Sequence, residues 1–196
     1  MFKNILKIAV LGLIGFGLLV YFTAEKPEQV NPNVIVKSKL TLENLPKNIE
    51  LVGSKNIISS SEVFKKGTKT LVIVGNHDSL SVIKDLKKYF TIDIPYVMVA
   101  NISAAPWFIK KWAIPGKLEE LTKGSNIPMV YDYDGSMVKS LNQYDTSKTG
   151  FFAYLIDEDG NITNIYTGKV KEDAMEGSMN EEEKKASLQP LVDLLK

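Results

Sequence analysis

The 196 residues include no cysteine, no arginine and only one histidine, His77. Without cysteine there are no disulfides, no zinc–thiolate sites and no chemistry through a thiolate nucleophile. Without arginine, the positive charge falls to 24 lysines against 23 carboxylates, a net charge of +1. Lysine lacks the planar fork that reads phosphate bidentately, and the lysines form no basic stripe, so no nucleic-acid partner is expected. A lone histidine also argues against acid–base catalysis, which gathers several titratable groups in one cleft.

Long apolar runs are scarce too, and the one at the N-terminus sets the topology. Lys3 and Lys7 precede Ile8–Phe22, fifteen uncharged and mostly apolar residues, which Ile5 and Leu6 extend to the lower limit of a membrane-spanning helix. A cleaved signal peptide has the same order, but cleavage after Ala24 would put Phe22 where a small side chain is wanted. Residues 1–24 are therefore expected to persist as a signal anchor, with a cleaved signal peptide and a domain secreted to the periplasm as the alternative. The lysines place the short end in the cytoplasm. This predicts a single pass through a bacterial inner membrane by residues 5–22, with the C-terminal domain in the periplasm. Thr23–Asn33 (TAEKPEQVNPN) is charged and proline-bearing, so residues 25–39 read as a linker and 40–196 as the folded domain.

Within that domain, strand and helix signals alternate. Val34–Leu40 reads as an edge strand, and Ile49–Val52 with Ser54–Lys55 and Ile57–Ile58 as a hairpin turning at Gly53. Ser59 and Glu62 have capping-box spacing for a short helix before Gly67. Thr70–Val74 and Tyr96–Ala100 are short runs of the kind buried on both faces. Between them, Asn76, Asp78 or Ser79 caps a helix whose apolar face is Val82, Ile83, Leu86 and Phe90. Pro106 opens another helix, which Pro115-Gly116 interrupts and Leu118 and Leu121 continue to Gly124. Met129–Tyr131 is a strand and Ser136–Leu141 a short helix; Phe151–Ile156 and Ile162–Tyr166 form a hairpin whose turn ends at Gly160. Asn180 and Glu183 cap a last helix with Leu188, Leu191, Val192 and Leu195 on one face, which Pro190 is expected to bend or to restart as a last piece. The alternation implies an α/β fold, a mixed central sheet with helices on both faces.

The stretch Ile127–Gly168, with its Leu155-Ile156-Asp157 turn and glycine-closed return strand, resembles the second half of the thioredoxin-like superfamily, in particular periplasmic TlpA- and peroxiredoxin-like proteins. The resemblance covers about 40–196 and implies a thioredoxin-like fold. Redox members carry Cys-x-x-Cys after the central strand; here that loop is Gly75-Asn76-His77-Asp78-Ser79-Leu80-Ser81. The family's cis-proline lies six residues before the turn aspartate, where this chain has Phe151 after Gly150. Both halves of the redox site are missing, so neither thiol–disulfide exchange nor peroxidase activity is possible. Ile114-Pro115-Gly116 and Leu141–Asp145 are similar to segments of cysteine-free periplasmic proteins of the YtfJ type, a likeness that brings no established activity.

The candidate site residues each have a plain structural reading beside the functional one. His77 at a helix start could be a general base or a copper ligand, with Met98 and Met129 as thioethers; both methionines sit in strand patterns that fit core better. Asp78 and Ser79 beside His77 cannot form a hydrolase relay, because consecutive side chains do not share the required face, and capping explains them. Asp132–Gly135 and Asp157–Asn161 lack the glycine and glutamate of a calcium loop and read as turns. Asn101-Ile102-Ser103 and Asn161-Ile162-Thr163 match glycosylation sequons by chance, in strand positions. Trp107, Phe108, Lys111 and Trp112, with Lys110, make a surface suited to a membrane or protein partner, unless Phe108 and Trp112 simply cover the sheet. No catalytic residue, cofactor or metal ligand is assigned. The expected function is non-catalytic: binding of an envelope protein or peptide in a groove formed by Asn76, His77, Asp78, Ser79, Gly150 and Phe151. The alternatives are copper or zinc handling through His77 and, less favoured, a thiol-independent enzyme.

Overall fold

The structure, a computed structural model, describes residues 2–23, 39–54 and 56–196. Residues 25–38 of the expected linker, which include residues 34–38 of the expected edge strand, and residue 55 lie outside the described residues. Helix α1, Phe2–Thr23, contains the apolar run, and Ile5–Thr23 is long and apolar enough to cross a membrane.

Among the described residues eight strands form one sheet in the order β1-β8-β7-β4-β5-β6-β2-β3. They are β1 (Leu40–Thr41), β2 (Asn48–Leu51), β3 (Ile57–Ser59), β4 (Thr70–Gly75), β5 (Tyr96–Asn101), β6 (Met129–Asp132), β7 (Gly150–Ile156) and β8 (Asn161–Lys169). Strands β4, β5 and β6 are parallel, and β7 and β8 join the β4 edge as an antiparallel hairpin. The β7–β8 turn closes with Gly160 at φ +85°, the left-handed conformation a glycine adopts without a Cβ clash. The β2–β3 hairpin pairs antiparallel to β6 on the far side.

The helices are α2 (Ser60–Val63), α3 (His77–Ile83), α4 (Leu86–Tyr89), α5 (Trp107–Trp112), α6 (Ile114–Thr122), α7 (Ser136–Ser140) and α8 (Glu181–Asp193). Alternation along the continuous apolar run of β4 divides the core. Leu71 and Ile73 meet Leu80, Leu86, Leu118, Leu188 and Leu191 on one face; Val72 and Val74 meet Phe64, Met137, Val138 and Leu141 on the other. Each Leu or Ile withdrawn from water contributes about 1.5–3 kcal/mol, so both faces need helix cover. The result is the thioredoxin-like arrangement that the resemblance implies: a central sheet, mixed in strand direction, with helices on both sides.

Local details depart from expectation in three places. The Val82–Phe90 face is split between α3 and α4 at Lys84–Asp85, and Phe90 is already extended. Pro115-Gly116 does not interrupt a helix; the break falls at Ala113, and Pro115 lies in the first turn of α6, where its missing N–H costs nothing. Pro190 stays inside α8, whose Asn180/Glu183 capping box forms as expected.

Candidate functional site

The parallel strand β4 ends at Gly75, and α3 starts from its carboxyl end, the position where open α/β sheets place their sites. Because β7 runs antiparallel to β4, its first residues lie at the same end, with Gly75 paired to Phe151. The register thus brings together Asn76–Ser81 and Gly150–Phe151, the two segments singled out from sequence.

Most of their polar groups are used internally. Asn76 is the N-cap of α3, its Oδ1 accepting from the His77 amide at 2.9 Å and lying 3.0 Å from His77 Nδ1. Ser79 Oγ accepts from the Asn76 amide and donates to the Asn76 carbonyl, both at 3.0 Å. Ser81 Oγ donates to the Asp78 carbonyl at 2.7 Å. Asp78 is 1% exposed. Its two carboxylate oxygens accept from the backbone amides of Asp173 and Met175, each at 3.1 Å. Asp78 therefore fastens the segment after β8, including a 3₁₀ turn at Ala174–Glu176, onto the start of α3. No local pattern signals this contact, which joins residues 95 and 97 apart in the chain.

Phe151 is wholly buried, tilted against Tyr166 with ring centroids 5.8 Å apart, and Ser79 and Gly150 are buried beside it. Of the six residues named for the groove, Asn76 and His77 are the ones that reach solvent. The His77 side chain is 38% exposed, with Nε2 4.0 Å from Asp78 Oδ2. Partial burial lowers its pKa below the ordinary histidine value; the Asp78 charge opposes the shift and Lys148 and Lys117 reinforce it. Burial and the two lysines thus favour the neutral form of the imidazole. Met98 and Met129 are core residues of β5 and β6. Among the described residues no group of three or more His, Cys, Asp or Glu side chains is placed to hold a metal.

The two acidic turns are structural. Asp132 is buried and accepts from the amides of Met137 and Val138 at 3.1 and 3.0 Å, capping α7, while burial raises its pKa against those bonds. Asp157 accepts from the Asn161 amide at 2.8 Å inside the hairpin turn. Beside Asp132, Tyr131 stacks on Tyr133 at 4.9 Å, and the Tyr131 hydroxyl is buried without a hydrogen-bond partner. Burial raises both phenols, that of Tyr133 to about 12.

The aromatic–lysine surface lies on α5, after the carboxyl end of β5. Lys110 is buried and donates through Nζ to the Tyr133 carbonyl at 2.7 Å. Trp107 and Trp112 are 64% and 81% exposed, so Trp112 does not cover the sheet.

No family model matches the chain, and no curated protein matches it in sequence. Among solved structures it is similar to an uncharacterised conserved protein from Geobacillus kaustophilus, at 15% identity and TM-score 0.48, covering 80% of this chain and 81% of that one. It is also similar to an uncharacterised thioredoxin-like protein from Porphyromonas gingivalis (12%, TM-score 0.41, covering 81% and 94%). A third is the exposed lipoprotein thioredoxin of Streptococcus pneumoniae (17%, TM-score 0.40, covering 74% and 97%). The fold is thioredoxin-like and has no cysteine. At the carboxyl end of β4 this chain has capped polar residues, a partly exposed imidazole and a fastened C-terminal segment.

Proposed function

We propose that the protein is a redox-inactive, membrane-anchored binding domain, held by α1 in a bacterial inner membrane with the thioredoxin-like domain in the periplasm. Its ligand is another envelope protein or a peptide, docked at the sheet end beside Asn76 and His77. The observation that carries this reading is that the helix-start polar groups at that end are bonded within the chain, leaving His77 as a partly exposed group rather than part of a catalytic set. A site of this kind offers shape and hydrogen bonding but no nucleophile. The α1 span and the lysines before it support the anchoring and its direction.

The test is photo-crosslinking in cells from full-length protein carrying a photoreactive residue at His77 or Lys148, read by mass spectrometry. A discrete envelope protein captured from both positions, and lost from the Lys148 position on His77→Trp, is the expected result. Uniform absence of adducts from these positions, with the protein folded and membrane-associated, refutes docking at this end of the sheet.

A further inference from the structure

We propose that α5 is a membrane-contacting foot: its aromatic face lies in the headgroup region of an anionic bilayer, the same membrane that α1 enters. The inference rests on the anchoring of α1 but not on the docking of a ligand at His77.

The chain has two tryptophans, and both lie on this six-residue helix. Outside α1, the exposed large apolar side chains among the described residues are Ile57, Trp107, Trp112 and Leu194. Two of the four therefore fall on one and a half turns. Trp107 pairs with Lys111, and Phe108 with Trp112, at the i,i+4 spacing of helix neighbours, so the four side chains are contiguous. The Trp107 and Phe108 rings meet edge to face at 6.0 Å. Lys110 ties the side of the helix away from Phe108 and Trp112 to the Tyr133 carbonyl.

Charge and tether identify the occupant. From Ile94 to Leu118 the sequence has no carboxylate and carries Lys110, Lys111 and Lys117. Lys111 and Lys117 are exposed, Lys117 with its Nζ 3.5 Å from Glu176 Oε1, so Lys111 is the ammonium group nearest the tryptophans. Tryptophan and lysine on one exposed face is the composition that settles at a lipid headgroup layer, the rings amphipathic and the ammonium groups paired with anionic lipid. Between α1 and the domain, residues 24–38 can span at most about 50 Å, so an anchored domain meets the surface at high effective concentration and needs little affinity of its own. The patch also accepts an apolar surface: Phe16 of α1 stands edge-on to Phe108 at 6.0 Å. Once α1 spans the bilayer, the lipid surface takes that place.

Tryptophan fluorescence reports on α5 alone, since no other element holds a tryptophan. Full-length protein is reconstituted into vesicles of phosphatidylcholine with about one quarter phosphatidylglycerol, and flotation is recorded alongside emission. The expected result is emission at shorter wavelength than for a water-exposed indole, quenching by lipid brominated near the headgroup, and at least about twofold protection from acrylamide. All three effects weaken in K111E/K117E and in vesicles of phosphatidylcholine alone. Protein that floats with its tryptophans as open to acrylamide as free indole keeps the anchor and overturns the foot. A blue shift without quenching by brominated lipid means that a second copy, another protein or α1 covers the face, and also overturns it. Failure to float removes the anchor and this inference together, while the His77 crosslinking result stands apart from all three.

Discussion

Replacing Asp78 by alanine tests whether the C-terminal segment is fastened to the candidate site as the geometry indicates. The carboxylate is 1% exposed and accepts two backbone amides at 3.1 Å, from Asp173 and Met175. A hydrogen bond to a charged group is worth about 1.5–3 kcal/mol, and orphaning a buried donor costs about 1–3 kcal/mol. Both amides lie in a partly exposed segment where water replaces some of the loss, so Asp78→Ala is expected to cost about 2–4 kcal/mol rather than the sum of the upper limits. For a domain of this size that lowers Tm by roughly 4–16 °C. Asp78→Asn keeps one acceptor oxygen and should cost about half as much. Denaturant titration of the full chain in detergent measures the loss, and hydrogen exchange locates it. The Asp173 and Met175 amides should exchange faster, while those of β4 and β5 keep their protection. A cost below about 1 kcal/mol with both amides still protected would show that other packing holds this segment and refute the reasoning.

Tyr131→Phe removes a buried hydroxyl that has no partner and keeps the stack on Tyr133, so unfolding free energy should rise by about 1 kcal/mol; a fall would show that the hydroxyl is bonded after all. Gly168→Ala puts a Cβ into the ring of the fully buried Phe151, which has no room to retreat, and should destabilise by about 1–3 kcal/mol in denaturant titration. For His77 the pKa is lower in the folded than in the unfolded chain, so the unfolded state takes up the proton first. Stability should be level above the unfolded value of 6.5 and fall as pH drops from there through the folded pKa; His77→Gln should flatten that part of the profile, and an unchanged slope would refute it.

Where information is local, the sequence reading and the structure coincide. Ser59 with Glu62 and Asn180 with Glu183 cap helices from side chains within three residues of each other, so spacing alone reveals them; of Asn76, Asp78 and Ser79, the three named for the next cap, Asn76 is the N-cap. Thr70–Val74 and Tyr96–Ala100 are apolar throughout because their strands lie between two helix layers. The Leu155-Ile156-Asp157 turn and its glycine mark the β7–β8 hairpin for the same local reason.

What the sequence alone determined about this protein is therefore its element order, its thioredoxin-like class, one apolar helix able to span a membrane, and the exclusion of thiol chemistry. These follow from residue types and short-range periodicity. The tertiary structure alone decided which polar and aromatic groups are free. Asp78 reads as a cap but holds amides from the far end of the chain. Phe151 reads as a groove residue but fills the core, and Trp112, which the sequence leaves between an outer surface and sheet cover, faces outward. Burial and partnership depend on which segments the β4–β7 register and the return after β8 bring together, and that pairing is set by the whole core rather than by any local run of residues.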